Sequence, residues 1–312
     1  MGIRRQCTLP GTTYFVTRRT TRRHYVLTPD EGGQVERMAL HLLGYCCQKY
    51  GVKLHAVCVM STHLHYVVTD PRGEIPMFFQ EFHRLLANSI KVFRGWPAEV
   101  FDKNATTRVV LLTAKTDLKE IAYTIANPVE AGAVRYASDW PGLTTAPEDL
   151  GHRVERVKRP GHYLRDAKTF PDEVEVRFEF PARVEAEFGA DEARRILRER
   201  VACLEREALQ KLRAKGWSFM GRARVLKQPH TKRSKSHEDF GSLSPRHAAG
   251  GHLEAVKAHL AKERAWNGHY DQSLARWRAG DHDVEWPAGT WAMVRYHGAR
   301  AAPPPDASRQ AA

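Results

Sequence analysis

The sequence predicts an α+β protein: an antiparallel sheet carrying helices on one face, followed by a basic, mainly helical extension. Three observations lead there. Over the first 140 residues, short apolar or alternating runs take turns with amphipathic stretches of helical period. Beyond Pro141-Gly142 the strand signals give way to long charged helical stretches. Finally, 42% apolar residues in a chain of 312 suffice for a core, which excludes wholesale disorder.

The elements follow in order. Residues 12–17 (TTYFVT) read as a strand running into the arginine-rich TRRTTRRH, and residues 25–27 as a short partner closing a hairpin. Thr28-Pro29-Asp30-Glu31 signals a helix start. Val35, Met38, Ala39, Leu42 and Leu43 keep the 3.6-residue period to about Tyr50, and Gly51 is the stop. Residues 52–60 form an apolar strand, Ser61-Thr62 a break, and residues 63–69 a second strand ended by Asp70-Pro71-Arg72-Gly73. A helix over 76–93 puts Phe79, Phe82, Leu86, Ile90 and Phe93 on one face. A strand over 108–112 and a helix over 117–127 follow, the latter ended by Asn127-Pro128 because the residue before proline avoids helical angles. Strand-helix-strand-strand-helix-strand is the ferredoxin-like, split βαβ order. The extension holds a charged helix over 191–215, shorter helices over 253–266 and 272–278, a terminal hairpin over 286–297 and a frayed tail. The chain thus divides into residues 1–145 and a basic extension, residues 146–312.

Charge narrows the partners. The chain carries 49 Lys+Arg against 36 Asp+Glu, a net +13. Residues 1–150 account for +4 and the remainder for +9. Two stretches hold no acid at all: residues 1–29, with Arg4, Arg5, Arg18, Arg19, Arg22 and Arg23, and residues 211–237, with nine Lys/Arg plus Trp217 and Phe219. A solvated linker has that composition, but two such blocks in one chain point to phosphate contacts. No apolar run reaches the roughly 20 residues that span a bilayer, and the N-terminus has no signal-peptide core. The five cysteines are odd in number and include no C-x-x-C pair, so a reducing, cytoplasmic setting is expected.

The chemistry concentrates in two places. In Ser61-Thr62-His63-Leu64-His65-Tyr66, strand alternation puts His63 and His65 on one sheet face, about 7 Å apart along the strand, where two imidazoles can converge on one ion. Two ordinary strand histidines give the same pattern. Asp70 is the nearest further candidate ligand, and Cys58 precedes the turn. On the helix over 117–127, Leu118, Ile121, Ala122 and Ile125 form the apolar side, while Lys119, Tyr123 and Asn127 recur every four residues on the other. A core tyrosine belongs among the apolar positions, and Tyr123 is not there. Its phenol is free to face a site on the sheet, or solvent, with Asn127 capping the helix.

Together these segments resemble a family. STHLHYVV resembles the His-hydrophobe-His (HUH) motif, and IAYTIANPVEAGAV resembles the signature of REP-associated tyrosine transposases, relatives of single-tyrosine insertion-sequence transposases. The resemblance covers about residues 8–145, with PGTTYFVTRR and CVMSTHLH in the expected order. Thr62 stands where many relatives have Asn, and Thr124 where Ile is commoner. The resemblance implies that His63, His65 and Asn127 hold a divalent metal, Mg²⁺ or Mn²⁺, and that Tyr123 is the nucleophile. It implies a bacterial enzyme that nicks single-stranded DNA beside a hairpin, at repetitive extragenic palindromes, and transfers strands through a 5′-phosphotyrosine, acting as a monomer or homodimer. Lys119, one turn before Tyr123, is expected to lower the phenol pKa or hold a phosphate, and Arg18, Arg19, Arg22 and Arg23 to contact the DNA backbone. Two alternatives stand beside this reading: a DNA or RNA hairpin-binding protein on the same sheet, and a metal phosphodiesterase that uses water and not Tyr123.

Overall fold

The computed structural model describes residues 7–103, 106–161, 164, 168–235 and 245–304. Strand β1 (Thr12–Arg19) leads through a single 3₁₀ turn at Thr21–Arg23 to helix α1 (Gln34–Tyr50). Then come β2 (Lys53–Val59), β3 (His63–Asp70), α2 (Ile75–Arg94), β4 (Thr107–Leu111) and α3 (Ala114–Glu130). The later part comprises a hairpin of β5 (Val154–Lys158) and β6 (Glu173–Arg177), then α4 (Ala182–Phe188), α5 (Ala190–Ala214) and α6 (Arg222–Leu226). The short strand β7 (His247–Ala248) and helices α7 (Leu253–Arg278) and α8 (Trp291–His297) complete it.

The main sheet has the order β2-β3-β1-β4-β7. Neighbours are antiparallel from β2 to β4, but β7 runs parallel to β4, so the sheet is mixed rather than wholly antiparallel. Helices cover both of its faces, not one as expected. Tyr14, Val16, Leu64, Tyr66 and Val68 share a core with residues of α1 and α2. The intervening Val67, with Ala56 and Cys58 of β2, packs against Leu118, Ile121, Ala122 and Ile125 of α3. The cause is visible along the strands: β2 is buried at six consecutive positions and β3 at Leu64–Val68, and a sheet apolar on both sides must be covered on both.

Both cores run past residue 145. Val157, Val174, Val176 and Phe178 of the β5–β6 region join the α1–α2 core. Gly44 of α1 makes that approach possible: a Cβ there would lie 2.9 Å from the methyls of Val174 and Val176. On the other face Val184, Ala193, Leu197, Val201 and Ala208 join the α3 core. Arg183 of α4 grips the buried Asp117 of α3 through Nε (2.6 Å to Oδ2) and Nη2, which also donates to the Leu111 carbonyl. Asp117 is buried and Arg183 partly exposed, so losing Arg183 would leave a buried carboxylate without its partner. The helix that carries Tyr123 is therefore braced by the extension. A third cluster, built on Tyr270, Trp286 and Met293, is joined to the rest by Thr8 Oγ1 donating to the Gly289 carbonyl at 2.7 Å.

Several elements differ from expectation. Residues 25–27 form no strand: the Tyr25 N–H donates to the Lys232 carbonyl and the Leu27 N–H to that of Ser61, so their backbone pairs with two other segments. Asp30 caps α1 by accepting from Gln34 and Val35, so the helix begins at Gln34. Helix α3 does not stop at Asn127 but runs through Pro128 to Glu130; in a last turn, proline forfeits a single intrahelical bond. The helices expected over 253–266 and 272–278 are one, and α8 replaces the terminal hairpin. Arg4, Arg5 and most of the tail lie outside the described residues.

Candidate active site

Side chains from β1, β3 and α3 meet in one cavity of about 600 Å³. The β1–β3 register sets Thr17 opposite His65 and Arg19 opposite His63. Alternation then sends Phe15, Thr17 and Arg19 to the same face as both histidines, and that face is the one α3 covers. From α3 come Lys119, Glu120, Tyr123, Asn127 and Glu130.

The two imidazoles lie edge to face with ring centres 4.7 Å apart. His63 Nε2 is 3.1 Å from Asn127 Oδ1, and the His65 ring lies edge-on to Tyr123 at 5.6 Å. Phe15 stacks on His65 at 5.3 Å and meets Tyr123 edge-on at 5.8 Å, holding the two in place from β1. Each Nδ1 has a hydroxyl neighbour: Thr62 Oγ1 at 3.0 Å from that of His63, and Thr17 Oγ1 at 2.9 Å from that of His65. A hydroxyl both donates and accepts, so these contacts serve either ring tautomer.

Burial dominates the electrostatics. It lowers the His63 pKa to about 4, with the charges of Arg19 and Arg23 acting in the same direction and the Asn127 hydrogen bond opposing them. His65 is held well below its ordinary value by burial, by His63 and by Arg19. Both rings are therefore neutral near pH 7, with lone pairs available. Tyr123 is raised by burial and by the carboxylates of Glu130 and Glu120, while the neighbouring Asn127 amide and the charge of Arg19 pull it down.

The residues fit a divalent cation. Two atoms that ligate one ion at about 2.0–2.2 Å lie roughly 3 Å apart, which is the His63 Nε2–Asn127 Oδ1 spacing. Both histidines are neutral, and both are oriented by an outer hydrogen bond, as metal-bound imidazoles are. The set is two imidazoles and an amide, and among the described residues no group of three or more His, Cys, Asp or Glu is arranged to hold a metal. Asp70 stands outside it: at the far end of β3 its carboxylate accepts from the backbone N–H groups of Arg72, Gly73 and Ile75 and shapes the entry to α2. Cys58 pairs with His65 in register but is buried in the α3 core.

Lys119 lines the cavity, yet its ammonium is 3.8 Å from Glu120 and largely exposed, and the cation that depresses the Tyr123 phenol is Arg19. The four arginines divide. Arg19 and Arg23 line the cavity. Arg18 faces the other way, over the Phe101 ring at 5.3 Å, into a separate cavity of about 960 Å³ with Phe79 and His83. Arg22 and Arg23 both have positive φ (51° and 56°), a left-handed conformation costly for residues with a Cβ. The turn is held by the Arg22 N–H donating to Asp102 Oδ1 and the Ser234 N–H to the Arg23 carbonyl. Sequence reasoning overlooked Glu120 and Glu130. Their positions, three before and seven after Tyr123, put them on its helix stripe.

No family model matches this chain, and no curated protein does. Among solved structures it is similar to one described as the REP-associated tyrosine transposase bound to a REP hairpin. The two are 23% identical over 48% of this chain and 84% of that one, with a TM-score of 0.38. No helix among the described residues is long and apolar enough to cross a membrane.

Proposed function

We propose that the protein is a metal-dependent, tyrosine-using enzyme that nicks and rejoins single-stranded DNA beside hairpins. One observation carries this reading: Tyr123 and Asn127 of α3 share a cavity with His63 and His65 of β3, some sixty residues earlier in the chain. Both sides of the cavity belong to segments that resemble the HUH and tyrosine-transposase motifs. Residues 1–145 supply the chemistry, and the basic extension braces α3 and holds DNA.

A divalent cation held by His63, His65 and Asn127 would polarise the scissile phosphate and stabilise charge developing there. Two imidazoles and an amide are a neutral set, softer than Mg²⁺ normally selects; the choice of Mg²⁺ or Mn²⁺ follows the resemblance. The chain's own residues do the rest. Tyr123 Oη attacks phosphorus, the P–O3′ bond breaks, and the products are a 5′-phosphotyrosine and a 3′-OH that has gained a proton. Because the phosphodiester is exchanged rather than hydrolysed, a 3′-OH returning to the same site reverses the step and joins strands. Asn127 lies one turn beyond Tyr123 in the same cavity, and Arg19 stabilises the phenolate against the two carboxylates. Glu120 and Glu130, in the same cavity, are the groups available to take the phenol proton.

The test is a denaturing gel. Incubation with end-labelled single-stranded hairpin DNA and Mn²⁺ should attach label covalently to the protein, and the adduct should vanish with EDTA and in Tyr123→Phe. Cleavage that survives Tyr123→Phe would favour a water-using phosphodiesterase. Binding without cleavage under every metal tried would leave a hairpin-binding protein.

A further inference from the structure

The two acid-free basic stretches, nearly 200 residues apart in sequence, meet at the mouth of the cavity. The Tyr25 N–H donates to the Lys232 carbonyl, His24 forms a β-bridge with Arg233, and Arg23 Nη2 donates to Ser234 Oγ at 3.3 Å. Further back along the same stretch, the Met220 and Gly221 N–H groups donate to the Gly132 and Ala133 carbonyls, fixing the segment to the turn just after α3. Ser61 Oγ donates to Gln228 Oε1 at 2.9 Å, tying it also to the turn before His63. A third cavity of about 540 Å³ opens here, lined by Gly132, Leu212, Trp217, Met220, Arg224 and Lys227, and it shares Ala131 with the Tyr123 cavity.

Trp217 is the anomaly. The segment around it is pinned by backbone hydrogen bonds, yet 65% of the Trp217 surface is exposed, with Met220 partly exposed beside it. Lys215 lies 5.3 Å from its ring centre. The residues lining this cavity include two cations and no carboxylate. An exposed indole among cations, next to an apolar wall, matches an unpaired nucleobase flanked by phosphates; a duplex, with its bases stacked inside, offers no free base face to it.

We propose that the Trp217 cavity binds an unpaired base of single-stranded DNA, stacked on the indole, with Lys215, Arg224 and Lys227 on the adjoining phosphates. Through Ala131 this groove continues the path of a strand whose phosphodiester lies at Tyr123. That continuity rests on the nicking reading; the base-binding site itself does not.

The experiment uses the full chain carrying Tyr123→Phe, which cannot form an adduct, and measures binding of fluorescent oligothymidylate and of a duplex of the same length. Trp217→Ala should weaken single-strand binding about 5- to 150-fold, the range of base–aromatic stacking, while leaving duplex binding unchanged. Trp217→Phe should restore most of the loss. Lys227→Ala should lower the salt dependence of single-strand binding by about one phosphate contact. Single-strand affinity unchanged in Trp217→Ala, or equal losses for single strand and duplex, would overturn the proposal. The adduct gel is read separately: failure there with an intact Trp217 effect would overturn the nicking reading and spare this one.

Discussion

The β1–β3 pair buries histidines against both its faces, to opposite ends. On the α1–α2 side, His83 spends both ring nitrogens on the protein, with Tyr66 Oη 2.9 Å from Nε2 and Thr106 Oγ1 3.3 Å from Nδ1, and its ring stacks on Phe79. On the α3 side, His65 commits Nδ1 to Thr17, and His63 turns Nε2 to Asn127 at the wall of a cavity. Burial lowers the pKa in each case, to about 3 for His83 and about 4 for His63. A depressed pKa therefore does not separate a structural histidine from a candidate ligand. What separates them is that His83 has both ring nitrogens bonded to protein groups, whereas His63 and His65 share one cavity with Tyr123, Glu120 and Glu130.

The largest expected effect breaks this comparison directly. His63→Ala and His65→Ala should each cut adduct formation by more than the roughly 10–100-fold that outer-shell partners of a metal control, with little change in thermal unfolding. His83→Ala should do the reverse. It leaves the Tyr66 hydroxyl without its partner and a void among Phe79 and Phe82, so it should cost about 2–4 kcal/mol in urea denaturation, with activity per folded molecule retained. Equal effects of both substitutions on stability and activity would erase the distinction between the faces.

Thr17→Val comes next. It keeps the shape but removes the hydroxyl that orients His65, and should lower Mn²⁺ affinity by about 10- to 100-fold in titration calorimetry. Unaltered affinity would show that Thr17 serves only the sheet.

The smallest effect concerns acid. His83 and His55 have folded-state pKa values of about 3, below the ordinary 6.5, chiefly through burial. The unfolded chain therefore binds protons first, and stability is lost as pH falls below 6.5 and continues to fall until about 3. Between pH 7 and pH 5 each ring should withdraw about 2 kcal/mol. Urea midpoints measured at both pH values check this, and His83→Gln should flatten the fall.

Much of the site was legible because it obeys two short periods. Period two put His63 and His65 on one face, and spacing by four put Tyr123 and Asn127 on one stripe. The faces of the sheet were misread because the expected fold places its helices together, although the unbroken apolar run of β2 already called for cover on both sides. What stayed illegible depends on contacts between segments far apart in sequence. Arg18 and Arg19 are neighbours, but strand alternation aims them into different cavities. The Asp117–Arg183 clamp, the β5–β6 contribution to the core and the meeting of the two basic stretches join distant segments with no local periodic signal.

The most direct measurement is the mass of the labelled peptide. Trypsin cutting after Lys119 and Arg135 releases residues 120–135, in which Tyr123 is the sole tyrosine. After reaction with single-stranded hairpin DNA and Mn²⁺, then nuclease trimming, that peptide should carry a nucleotide esterified through its 5′-phosphate to Tyr123. A nucleotide on any other residue, or cleaved DNA bearing a free 5′-phosphate and no peptide, would contradict the assignment of Tyr123 as nucleophile.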